Sequence, residues 1–126
     1  MGGNALKTRC LFKGLKKSVY ALVDEGDCQC VHAFLASLDR AARRKVDVLF
    51  DLFGTMGGIH NTEKFKKLEG SAGIFEFKSF QVRLLCFMHG DGVVVVRGVY
   101  KKKDKHDKTD IAYAERCRRQ FLEKVN

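Results

Sequence analysis

Lys78, Arg83 and Arg97 are the residues of this chain best suited to chemistry on a phosphate. Each is a cation set in a run that otherwise reads as a strand: Phe75-Glu76-Phe77-Lys78, Val82-Arg83-Leu84-Leu85-Cys86-Phe87 and Val93-Val94-Val95-Val96-Arg97. A charge in such a run is expensive to bury without a partner. Arg83 therefore either faces a phosphate-binding cleft or is matched by a carboxylate such as Glu76, and Arg97 carries the same two readings. Directly after the last run comes the densest basic cluster, Lys101-Lys102-Lys103-Asp104-Lys105-His106-Asp107-Lys108. On the plain reading it is a solvated connection; on the functional reading it is an exit loop that holds phosphates. Lysine and arginine stabilise charge developing on a phosphate without help from a metal. Cleavage of RNA then needs a base for the 2′-hydroxyl and an acid for the leaving 5′ oxygen. Glu76, Tyr100 and His106 are the nearby proton carriers, and the sequence does not choose among them.

Other chemistries lack their motifs. No Gly-x-Gly-x-x-Gly follows a strand pattern, and neither a P-loop nor a Gly-x-Ser-x-Gly elbow is present. The five cysteines include Cys28 and Cys30 as a Cys-x-Cys pair with no second pair to complete a zinc site. Cys86 reads as a small core residue, and His32 as a structural histidine on a helix. No metal and no cofactor is expected. Lys and Arg number 24 against 15 Asp and Glu, a net charge of +9 that favours a polyanionic partner. No apolar run approaches the roughly 20 residues that cross a bilayer, so no membrane partner is expected. Met1-Gly2-Gly3-Asn4 opens without an apolar signal core, and with reduced thiols this points to the cytoplasm.

The elements that must position these residues follow from periodicity and turn residues. Residues 1–17 are basic and mixed and read as an N-terminal arm, ahead of a single domain over 18–126. Ser18–Val23 is β-leaning and forms the first expected strand. Val31, Phe34, Leu35 and Leu38 repeat at i, i+3, i+4, i+7, as do Val46, Leu49, Phe50 and Phe53. Asp27 and Asp39 are the helix caps, and Gly54, Gly57 and Gly58 end the second helix. Residues 59–72 read as a connection. Strands are expected over Ile74–Lys78, Phe80–Met88 and Val93–Tyr100, the last two joined by the turn His89-Gly90-Asp91-Gly92. Four consecutive valines suggest a strand covered on both faces. A final helix starts at Thr109 or Asp110, with Ala114, Cys117, Phe121, Leu122 and Val125 on its apolar side and Arg116, Arg118 and Arg119 on a basic side. The result is an α+β layer: an antiparallel meander with an N-terminal strand, a helical hairpin and a C-terminal helix packed on it.

Alternation sends Glu76 and Lys78 to the face opposite Phe75 and Phe77. Whether Lys78, Arg83 and Arg97 share one face stays open, because a slip of one residue in a turn reverses a whole strand.

The segments Phe65-Lys66-Lys67-Leu68-Glu69-Gly70, Gly73-Ile74-Phe75-Glu76-Phe77-Lys78 and Val82-Arg83-Leu84-Leu85-Cys86-Phe87 follow one another in the order of a known pattern. So does Arg97-Gly98-Val99-Tyr100-Lys101-Lys102, with Lys105 and Ile111-Ala112-Tyr113-Ala114 behind it. Together they resemble the RelE/HigB superfamily of ribosome-dependent mRNA-cleaving toxins, in its phage-derived, HigB-like branch, over about residues 18–125. The resemblance implies a RelE-like fold and a type II toxin that cleaves mRNA on the ribosome by metal-independent acid–base chemistry. It also implies a cognate antitoxin, of helix-turn-helix type, as partner. Carried over by position, Lys78, Arg83 and Lys102 are the catalytic set, and Arg97, Lys101, Lys103, Lys105 and His106 bind RNA. Three positions depart from the family pattern. Arg97 stands where a histidine is common, Asp107 where a proline is usual, and a terminal catalytic tyrosine has no clear counterpart, although Tyr100 and Tyr113 lie near. The exchange at Arg97 keeps a second function open, a non-catalytic nucleic-acid-binding or phage regulatory protein on the same scaffold. A third is an interaction protein whose basic face meets an acidic partner.

Overall fold

The computed structural model of the chain describes residues 7–23, 30–101 and 108–125. In chain order the elements are β1 (Lys7–Lys13), β2 (Ser18–Val23), α1 (Cys30–Ser37), α2 (Arg40–Met56), β3 (Phe65–Lys67), β4 (Phe75–Ser79), β5 (Val82–His89), β6 (Gly92–Tyr100) and α3 (Lys108–Val125). The architecture is α+β. One sheet of six strands runs β1-β2-β6-β5-β4-β3. All neighbours are antiparallel except β2 and β6, which run parallel.

The helices form where the sequence provides both periodicity and a cap. Asp39 accepts a hydrogen bond from the amide of Ala42 at 2.8 Å and so opens α2. Val46, Leu49, Phe50 and Phe53 are its buried stripe, as their spacing requires. Gly57 closes α2 with φ of 83°, and its amide donates to the carbonyl of Phe53. α1 and α2 cover one face of the sheet. There Phe50, Phe53 and Phe65 surround Phe77, with ring centroids 4.8 to 5.5 Å from it. Burying each such ring stabilises the fold by about 1.5–3 kcal/mol.

α3 covers the opposite face, where Leu85, Phe87, Val94 and Val96 meet Ala114, Cys117 and Phe121. Val93 and Val95 belong to the first core and Val94 and Val96 to the second. The valine run is thus sandwiched, as expected of a strand covered twice. Gly92 makes the β2–β6 seam possible, because a Cβ there would lie 1.8 Å from the carbonyl oxygen of Ser18.

Several boundaries differ from the sequence reading. Within the stretch 1–17, read as an arm, Lys7–Lys13 is an edge strand paired with β2. Its charges hid the alternation, and edge strands commonly carry such charges. The connection 59–72 contains β3, whose three residues are too few for a periodic signal. Phe80 belongs to the turn between β4 and β5 and not to the strand. The cap expected at Asp27 lies outside the described residues, as do Lys102, Lys103, Lys105 and His106.

Candidate nucleic-acid interface

The sheet register brings the strand residues singled out by sequence into two rows on the α3 face. One row runs Lys66, Glu76, Leu85, Arg97 across β3, β4, β5 and β6. The next runs Lys78, Arg83, Val99 across β4, β5 and β6. Simple alternation from Val93 would have sent Arg97 to the other face. The register between β5 and β6 shifts, so that Leu85 faces Arg97 while Cys86 faces Val95. This bulge at Val96 turns Arg97 back towards α3, a common use of a bulge. Lys78, Arg83 and Arg97 therefore share a face.

Their surroundings differ. Arg83 is 4% exposed, and its Nη1 donates to the carbonyls of Phe80 and Val82. The guanidinium is thus fixed against the turn that leads into its own strand. Lys78, half-buried, is its direct cross-strand neighbour. Glu76 is buried between Lys66 and Leu85 in the neighbouring row.

Arg97 and Lys101 converge on α3. Arg97 Nε lies 2.8 Å from Asp110 Oδ1, and Lys101 Nζ lies 3.8 Å from Asp110 Oδ2. The Arg97 guanidinium also stands 4.9 Å from the ring centroid of Tyr113, with Arg116 at 5.5 Å from the same ring. Farther along α3, Glu115 accepts from the amide of Ala72 at 2.9 Å. The helix is therefore held to the sheet by polar ties as well as by its apolar stripe. Sequence reasoning took Asp110 only for a helix starter. Its spacing of three and four residues from Tyr113 and Ala114 was the available sign that it lies on the inner side of α3.

Tyr100 stands apart from these groups. Its register partner is Val82, on the α1–α2 face, and its ring packs 5.8 Å from that of Phe34. Among the described residues, Glu76 is the sequence-nominated proton carrier on the cationic face. Cys86 lies on the opposite, α1–α2 face and is an inert thiol, since burial and then the charge of Glu76 push its pKa far above the ordinary range. His32 on α1 is pushed down by burial, then by Arg9 and Arg43. Among the described residues no group of three or more His, Cys, Asp or Glu is placed to hold a metal ion. Nor is any helix there long and apolar enough to cross a membrane.

A family model described as "Phage derived protein Gp49-like (DUF891)" matches residues 33–119. No curated protein matches the chain. Among solved structures, a chain of the RelB–RelE antitoxin–toxin complex from Methanococcus jannaschii is similar at 12% identity, with a TM-score of 0.45. The similarity covers 52% of this chain and 78% of that one.

Proposed function

We propose that this chain, which belongs to the phage-derived Gp49-like family, is the toxin of a type II toxin–antitoxin pair and cleaves mRNA on the ribosome. The observation that carries the reading is the row Lys78, Arg83, Val99, beside the row that holds Glu76 and Arg97. Two opposed cations on one sheet face form a site for a phosphate, and Arg83 is already fixed by the turn carbonyls. Such preorganised charge is what stabilises the negative charge of a phosphoryl transition state.

In this reading Lys78, Arg83 and Lys102 act at the scissile phosphate. The 2′-oxygen attacks phosphorus while its proton passes to a base, and the P–O5′ bond breaks as the leaving oxygen takes up a proton. Glu76 is the carrier placed on the same face. Arg97, Lys101, Lys103, Lys105 and His106 bind the RNA backbone. Two of these, Arg97 and Lys101, are held by Asp110, so RNA competes with that carboxylate for them. A cognate antitoxin of helix-turn-helix type is the partner that the motif resemblance to the HigB-like branch suggests.

The second reading is a protein that binds nucleic acid on this face without cutting it. It is favoured by Arg97, which stands where the family pattern has a histidine and so offers a fixed charge in place of a proton carrier. Controlled expression of the wild type beside Lys78→Ala, Arg83→Ala and Lys102→Ala separates the two, with growth followed and mRNA ends mapped. The wild type is expected to arrest growth and cut mRNA, and each variant to lose about a hundredfold in cleavage. A harmless wild type with intact mRNA rejects the nuclease. A toxic wild type with fully toxic variants moves the site elsewhere.

A further inference from the structure

Phe80 is the first of the two residues that turn β4 into β5. It is the one non-glycine residue with a positive φ among the described residues, at 54°. In a two-residue hairpin turn that position favours glycine, and a bulky side chain there is a backbone outlier. The ring gains nothing from burial in return, being 76% exposed. The fold thus presents an aromatic ring to solvent at a place where glycine would suit the turn better, a pattern found where a side chain has work to do outside the fold.

The neighbourhood of the ring is cationic. Lys45 Nζ lies 4.2 Å from the ring centroid and occupies one approach to it. A cleft of about 550 Å³ opens between α2 and the turn, with Arg44, Lys45, Lys64 and Lys78 among its walls and Glu63 as its carboxylate. A second cleft of about 320 Å³ joins Phe80 to Tyr100, whose side chain is 55% exposed. Tyr100 belongs to the α1–α2 face, so this groove is a different surface from the rows beneath α3. Lys78, at the end of β4, is the residue common to both.

We propose that this groove binds single-stranded RNA, with an unpaired base stacked on Phe80, a second base against Tyr100, and backbone phosphates at Arg44, Lys45 and Lys64. Aromatic faces interleaved with cations suit a chain that alternates bases and phosphates. Stacking on a ring requires bases not already paired, and it tolerates any base because each has a π face. The proposal shares with the toxin reading the class of partner and the wall residue Lys78, and it does not depend on cleavage.

The test is fluorescence anisotropy with a labelled single-stranded RNA of about ten nucleotides. Phe80→Gly relieves the backbone, so its melting temperature is expected to equal or exceed that of the wild type while its affinity falls roughly tenfold. Phe80→Tyr is expected to bind as the wild type does. Arg44→Ala combined with Lys64→Ala should lower the salt dependence of binding by about two units of slope. Wild-type affinity in Phe80→Gly overturns the proposal, as does equal binding of duplex RNA. An equal response of Phe80→Gly to poly-glutamate overturns it in favour of an acidic protein partner. If mRNA is cut in cells but Phe80→Gly binds normally, the groove reading falls and the toxin reading stands. If mRNA stays intact but Phe80→Gly binds weakly, the reverse holds.

Discussion

The face under α1 and α2 is closed by Phe50, Phe53, Phe65 and Phe77, whereas the face under α3 divides into an apolar patch around Phe87 and Phe121 and two rows that carry cations. The first face has no charged row to accommodate and packs ring against ring. The second carries charge, some of it buried as in Glu76 and Arg83, and part of the attachment of α3 is polar, through Asp110 and Glu115. One face is held by ring packing, and the other by apolar contacts joined to ion pairs.

The largest effect expected from this contrast comes from truncating the two cores. Phe53→Ala should cost about 3–5 kcal/mol, with all spectroscopic probes melting together in urea. Phe121→Ala should cost less, with hydrogen-exchange protection lost mainly in α3. Equal costs and a uniform loss of protection would break the distinction. A smaller effect is expected from Asp110→Asn, which removes both ion pairs at once. Because Arg97 is 42% exposed, the loss is about 1 kcal/mol after solvent screening. RNA affinity should nevertheless rise, since Arg97 and Lys101 are released. Unchanged affinity would show that Asp110 does not compete with RNA.

The smallest effect concerns pH and the α1–α2 side. The folded pKa of His32 lies below its ordinary value of 6.5, so the unfolded chain binds this proton first. Its contribution to stability is complete above pH 6.5 and is lost as pH falls from there through the folded value. Urea midpoints measured between pH 7.5 and about pH 5 should fall in the wild type and fall less in His32→Gln. An identical slope in the two proteins would remove His32 from the account.

The elements read correctly from sequence are those fixed by local signals. α2 is the clearest, with Asp39 as its cap, a buried stripe at helical spacing and Gly57 at its end. Val93–Val96 announced a strand covered twice, and the opposition of Glu76 and Lys78 to the phenylalanines followed from the pleat. What escaped is decided by partners remote in sequence. β1 is ordered by β2, and its basic residues gave no apolar alternation. The bulge at Val96, which decides where Arg97 points, leaves no trace in a run of identical residues. Phe80 precedes the apolar run from Val82 by one residue and so read as the start of that strand, although the register of Ser79 with Val82 makes it a turn residue. The two cationic rows were legible as residues, but their common face was not.

The parallel pairing of β2 with β6 also bears on how the chain is made. Ser18 and Gly92, register partners in that ladder, are separated by more than half of the polypeptide. Contacts of that range form slowly, because the intervening chain must be ordered before they bring any gain. In vectorial synthesis the β1–β2 ribbon emerges first and keeps its inner edge bare until the β6 segment has left the ribosome. Through that interval the nascent chain presents an open strand edge to its surroundings, the feature on which strand-exchange and aggregation act.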